Sequence, residues 1–247
     1  MRFSHLSAPL LGLLFAGGIA ASLQADPITL GSGSIVRAIA SDTLLLSNTD
    51  KTNQVNSLPY TTPTTAVNGL STSTVASNIT TGGISFIFTQ TIESAGQTDG
   101  IADIHFTAGQ GVTFSLSGDL RLTGFGAVGE LITNLFDVTT NTFVYSYGKK
   151  IDTFTPIGEA SISLLTLDTS GGSLTGSLTT GDSYVFHVNE NMNNLSDPAL
   201  AGNVAIVFAQ QPVIVGPAAP LPAGVWGGMA LIAGLGGALR LKRNPAV

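Results

Sequence analysis

The chain has 247 residues, of which only 10% are charged, and its 15 acids outnumber its 9 bases. An isoelectric point near 4.8 excludes nucleic-acid binding by bulk electrostatics. The absence of cysteine excludes a disulfide framework and a thiolate zinc module, and 43% apolar residues with so little charge exclude a charge-rich disordered tail.

Two segments, one at each end, are apolar enough to meet a membrane. At the N-terminus Arg2 precedes an apolar run from Leu6 to Leu23, with Leu10 to Ala16 as its centre, and Leu23-Gln24-Ala25 ends in a small residue before Asp26-Pro27. This pattern reads as a secretory signal peptide over residues 1–25, a helix in the membrane, with cleavage after Ala25. The reading calls for the Sec export machinery and signal peptidase, and it places the remainder outside the cytoplasm. An exported body without cysteine must be stable without bridges.

Residues 26–209 read as an all-β ectodomain, an antiparallel β-sandwich or jelly roll. β-Branched and aromatic residues alternate with polar ones in Ile84–Ile92, where Ile84, Phe86, Phe88 and Gln90 share a face, and in Val112–Thr123. Further strands are expected at Ile35–Ile39, Thr43–Ser47, Ile101–Thr107, Leu131–Val138, Thr142–Tyr147, Ile151–Phe154, Ala160–Leu167, Ser173–Leu178, Ser183–Val188 and Asn203–Ala209. Turns are expected at Ser41-Asp42 and Thr98-Asp99-Gly100. No apolar stripe of helical period and length occurs, so many short strands point to a sandwich. Residues 52–83, rich in Thr, Ser and Asn with no charge, read as a long polar loop or insertion.

Candidate chemistry in this body is sparse. His105 and His187 each lie within a strand pattern, where a histidine is usually a surface or packing residue. No Gly-x-Ser-x-Gly, His-Glu-x-x-His or phosphate-binding loop occurs. The reading is therefore of a protein that is not an enzyme and needs no cofactor. Asp99 and Asp103 are weak calcium candidates, two carboxylates near one expected turn but without the oxygen-rich loop that calcium prefers. The stretch from Asp26 to Ala218 holds 5 bases against all 15 acids, a balance of −10. That balance suits solubility, or cation-bridged contact with acidic polysaccharide.

The C-terminus has three parts. Residues 210–222 form a proline-rich tether ending in Pro220-Leu221-Pro222, which proline holds extended. Residues 223–239 carry no charge and span about 26 Å as a helix, close to the hydrocarbon thickness, which reads as one transmembrane helix. Arg240, Lys242 and Arg243 in the tail 240–247 then set the topology, with the basic end cytoplasmic. Pro220-Leu221-Pro222-Ala223, the Gly/Leu-rich span and the basic cluster together resemble a PEP-CTERM sorting signal. They are most similar to its VPLPA variant, with Ala219 where that variant has Val. The resemblance covers about 28 residues, Ala219 to Ala246. It implies sorting in an exopolysaccharide-producing Gram-negative bacterium. It also implies recognition of Pro220, Leu221, Pro222 and Ala223 by an exosortase, an integral membrane cysteine protease that cuts near this motif.

The whole therefore reads as an exported cell-surface or extracellular-matrix protein, held first at the inner membrane, then processed to the outer surface or matrix, where exopolysaccharide is the available partner. Two other readings stay open. One is a carbohydrate-binding or carbohydrate-active module on the same tail, against which stand only 4 Tyr and 1 Trp, the Trp226 lying in the span. The other is an uncleaved single-span membrane protein.

Overall fold

The computed structural model describes residues 26–42, 47–92, 95–154, 159–163, 173–194 and 198–211. The signal segment ending at Ala25, the tether from Pro212, the span 223–239 and the basic cluster Arg240, Lys242 and Arg243 lie outside the described residues. So do residues 43–46 and 164–167 of two expected strands.

The described residues form strands β1 (Ile28–Leu30), β2 (Ile35–Asp42), β3 (Ser47–Gln54), β4 (Thr64–Asn68), β5 (Ser71–Thr80), β6 (Gly83–Thr91) and β7 (Gly96–Ala108). They continue as β8 (Val112–Thr123), β9 (Val128–Asp137), β10 (Thr142–Asp152), β11 (Glu159–Ser163), β12 (Thr175–Ser177), β13 (Ser183–Asn194) and β14 (Ala199–Gln210). Sheet 1 runs in the order β10-β9-β13-β7-β2-β3, with β1 beside β7. Sheet 2 runs β11-β8-β14-β6-β5-β4, with β12 beside β8. Every pairing is antiparallel. The two sheets bury their facing sides as a sandwich, as the period-2 alternation requires.

The core follows that alternation closely. Phe86, Phe88, Ile104, Phe106, Leu120, Phe186 and Val204 are all fully or almost fully buried. Rings meet across the gap between the sheets. Phe106 of β7 lies 5.0 Å from Phe208 of β14, and Phe86 of β6 stacks on Phe186 of β13 at 6.3 Å. Each such ring removes a large apolar area from water, which is the main force closing the sandwich.

The expected loop over residues 52–83 is corrected. Residues 52–54 belong to β3, and residues 64–68 and 71–80 form β4 and β5. The inward positions of β5 are Ser71, Ser73, Val75, Ser77 and Ile79, so the buried face is partly hydroxyl and lacks apolar contrast. One of those hydroxyls is taken up by the other sheet, Ser73 Oγ donating to the Asp99 carbonyl at 2.7 Å, while Ser71 Oγ and Ser77 Oγ are buried with no partner among the described residues.

Two expected turns are also extended strand. Ser41-Asp42 ends β2, and Thr98-Asp99-Gly100 lies inside β7. Gly100 is there for close approach, because a Cβ would overlap the Phe88 ring reaching over from sheet 2. The two strands expected at 142–147 and 151–154 are one strand, β10. Gly176 to Asp182 carries the chain from β12 in sheet 2 to β13 in sheet 1. It turns through Gly181, whose φ is 84°.

Candidate functional site

Side chains with chemistry gather on the outer face of sheet 1. Alternation on β13 buries Tyr184, Phe186, Val188, Glu190 and Met192 and turns Val185, His187, Asn189, Asn191 and Asn193 outward. Register then sets neighbours side by side. Asn193 stands beside Gln97 of β7, and Asn191 stands between Glu130 of β9 and Asp99 of β7. His187 stands between Asn134 and Asp103.

These groups are bonded into a network. Asn191 Nδ2 donates to Glu130 Oε2 at 3.1 Å, and Lys150 Nζ of β10 lies 3.9 Å from the same oxygen. Gln97 Nε2 donates to the Asp99 carboxylate at 3.2 Å. Burial pushes the Asp99 carboxyl above its ordinary value, with the Gln97 hydrogen bond and the Arg37 charge working against that shift. His187 Nδ1 and Asp103 Oδ1 share a hydrogen bond of 2.6 Å. Arg37 of β2 is held in a fork by Asp50 of β3, its Nε donating to Oδ1 at 2.9 Å. Two acceptors on this face, Asn134 Oδ1 and Asn189 Oδ1, are closed to solvent with no partner among the described residues.

At one end of this face a groove of about 500 Å³ opens, with Gln97, Asn191, Asn193, Glu130 and Lys150 in its wall and Gly126 and Val128 at its lip. Next in sequence to Gly126 is Phe125. It packs edge-on against Phe154 at 6.3 Å, and both rings are more than half exposed, at 59% and 52%.

Inside the sandwich, β13 carries a second polar group. Thr98 Oγ1 of β7 donates to Gln90 Oε1 of β6 at 2.9 Å, and Gln90 Nε2 donates to the Glu190 carbonyl at 2.7 Å. The bonds tie the two sheets together through their buried gap. The Glu190 side chain is fully buried, and neither carboxylate oxygen has a hydrogen-bond partner among the described residues. Desolvation, with some help from the Asp119 charge, raises its carboxyl well above the usual carboxylate range. Room for it comes from Gly202 of β14, where any Cβ would overlap the carboxyl group.

The expected calcium candidates are not brought together. Asp99 and Asp103 both face outward on β7, four residues apart on an extended strand, or about 13 Å. Each is spoken for, by Gln97 and by His187. No group of three or more His, Asp or Glu able to hold a metal occurs among the described residues. His187 faces outward as a strand histidine does, and His105 is likewise half-buried on the outer face. Ala25, Pro220, Leu221, Pro222 and Ala223 lie outside the described residues. Sequence reasoning passed over Gln97, Glu130, Asn191, Asn193 and Glu190. The available signal was Asn189, Asn191 and Asn193 at alternate positions, which extends the strand pattern of Ser183–Val188 in amides.

No protein-family model matches the chain, and no curated protein matches it. Among solved structures, it is similar to a Family 11 carbohydrate-binding module from Clostridium thermocellum in complex with a β-1,3-1,4-mixed-linked tetrasaccharide. The identity is 11% and the TM-score 0.25, over 71% of this chain and 98% of that one. It is similar to the same degree, 11% identity and a TM-score of 0.25, to the infectious bursal disease virus Gx strain structure, over 72% of this chain and 51% of that one. Similarities of this size carry no functional argument.

Proposed function

We propose that the chain is an exported surface or matrix protein whose β-sandwich serves a structural or adhesive role and whose C-terminal residues act as a sorting signal. The observation that carries the reading is the order Pro220-Leu221-Pro222-Ala223, uncharged residues 223–239, then Arg240, Lys242 and Arg243. Proline keeps the first part extended, the shape that a protease active site threads. The second part is long enough to hold that segment at a membrane surface, and the third keeps its far end cytoplasmic. In this reading Sec and signal peptidase act at Ala25, and an exosortase-type membrane protease acts near Pro220-Leu221-Pro222-Ala223.

Support comes from where the folded body stops. β14 ends at Gln210, and the chain divides into one compact unit through Gln210 and another from Gln211.

The test is fractionation in an exosortase-bearing Gram-negative host, with the full chain compared with one lacking residues 219–247. The full chain should be shortened at its C-terminus and leave the inner membrane fraction, and the truncated chain should show no such processing. Equal C-terminal processing and location of the two would overturn the reading. Pro220→Ala with Pro222→Ala separates it from a plain anchor: membrane insertion should persist while cleavage fails.

A further inference from the structure

We propose that the groove on the outer face of sheet 1, together with the Phe125–Phe154 pair, binds a neutral polysaccharide strand. The proposal goes beyond the sorting reading and does not depend on it.

Three features of the groove select this ligand class. The first is hydrogen-bonding capacity. Gln97, Asn191 and Asn193 place primary amides on two adjacent strands. A primary amide carries two N–H donors and a carbonyl acceptor, which suits a hydroxyl that does both; Gln97 and Asn191 each already give an N–H to a neighbouring carboxylate. Strands lie about 4.8 Å apart, a spacing of the order of one sugar ring, so successive rungs can address successive units of a chain.

The second feature is charge. Glu130 is met by Lys150 and Asn191, Asp103 by His187, and Asp50 by Arg37. The face therefore shows carboxylates held by neighbouring side chains, Asp99 by the Gln97 amide and not by a cation, although the stretch around it carries 5 bases against 15 acids. A polyanion would meet the field of that acidic body without a cationic patch to offset it. A polycation would have to compete with Arg37 for Asp50 and with Lys150 for Glu130. A ligand with many hydroxyls and no charge meets neither cost.

The third feature is the aromatic edge. Phe125 and Phe154 are large, more than half exposed, and held against one another. Phe125 adjoins Gly126 of the groove lip. Phe154 lies two residues beyond Asp152, which pairs with Val128 of the same lip. Exposed apolar groups beside convergent polar ones mark a binding groove more often than a bare surface. The apolar C–H face of a pyranose can lie on such rings while its hydroxyls turn to the amides. The scarcity of Tyr and Trp in the sequence is answered by phenylalanine in this position.

The test is affinity electrophoresis of the purified full-length chain in mild detergent, through gels containing dextran, hydroxyethylcellulose, galactomannan or, as the acidic polymer, alginate. At least one neutral polymer should retard the protein and alginate should not. Asn193→Ala, and separately Phe125→Ala with Phe154→Ala, should each weaken the retardation about tenfold. Ile87→Ser, on the exposed outer face of sheet 2, should leave it unchanged. A thermal melt of each surface variant shows that it is folded. Retardation by no neutral polymer, by alginate alone, or equally in wild type and both groove variants would overturn the proposal. So would concentration-dependent dimerisation through the phenylalanine pair without retardation. Fractionation reads the sorting tail and gel retardation reads the groove, so either reading can fail alone.

Discussion

The two halves of β13 follow the same backbone path and do opposite things. From Ser183 to Val188 its inward side chains are Tyr184, stacked on Phe106, Phe186, stacked on Phe86, and the buried Val188. From Asn189 to Asn193 the inward groups are Glu190 and Met192, and the outward ones are three asparagines. The first half contributes apolar burial, which is non-directional and large. The second replaces it with directional bonds: Gln90 reaches the Glu190 carbonyl within the gap, and Asn191 reaches Glu130 on the face. The groove lies over the half of β13 whose inward side chains are Glu190 and Met192. The contrast shows that one strand can set polar groups on both of its faces where it gives up aromatic contact.

The largest effect that would sharpen this comparison is on the apolar half. Phe186→Ala removes a fully buried ring that meets Phe86, and should cost about 3–5 kcal/mol, read as a lowered urea midpoint. A loss below about 1 kcal/mol would mean that this half does not anchor the two sheets.

Next comes Gly202→Val in the polar half. The added side chain would displace the Glu190 carboxyl group, so we expect a loss of about 1–3 kcal/mol by the same measurement. Paired with Glu190→Ala, the loss should shrink, because the two changes share one space. Strict additivity would show that the close approach is not what places glycine at 202.

The smallest effect is one of pH dependence. Burial raises the folded Glu190 carboxyl well above its unfolded value. The folded protein therefore keeps a proton that the unfolded chain gives up. Its contribution to stability is present below the unfolded carboxylate range, falls as pH rises toward the folded value, and levels off above that. Asp99, also raised by burial, acts in the same direction and is retained in the variant. Glu190→Gln has no proton to lose, so its midpoint should decline less with pH than that of the wild type. Denaturation at pH 4, 6 and 8 measures the two slopes, and parallel slopes would mean that Glu190 ionises in the folded state without cost.

Legibility in the sequence followed the same divide. Where apolar and polar residues contrast, as in Val112–Thr123, the expected strand and β8 share the same bounds. Ile84–Ile92 reads with Gln90 on the same face as Ile84, Phe86 and Phe88, and that face is the buried one, Gln90 included. Where the inward positions are serine or glycine, the pattern has no contrast and the strand was passed over. That was the case for β5, and for the middle of β7, where Asp99-Gly100 has turn composition but an extended backbone. The outward amides were invisible as a site for a related reason. Asn193 and Gln97 are 96 residues apart in the chain, and only strand register makes them neighbours.

The sequence alone determined that the body is all-β and which side chains of its well-patterned strands turn inward, because a period-2 apolar repeat can be buried on only one face of a sheet. The tertiary structure alone decided which turn-like dipeptides run straight, how Ser73 and Gln90 find partners on the facing sheet, and which outward polar groups share a groove. Those outcomes rest on contacts between residues far apart in the chain, and a local pattern holds no record of the register that pairs them.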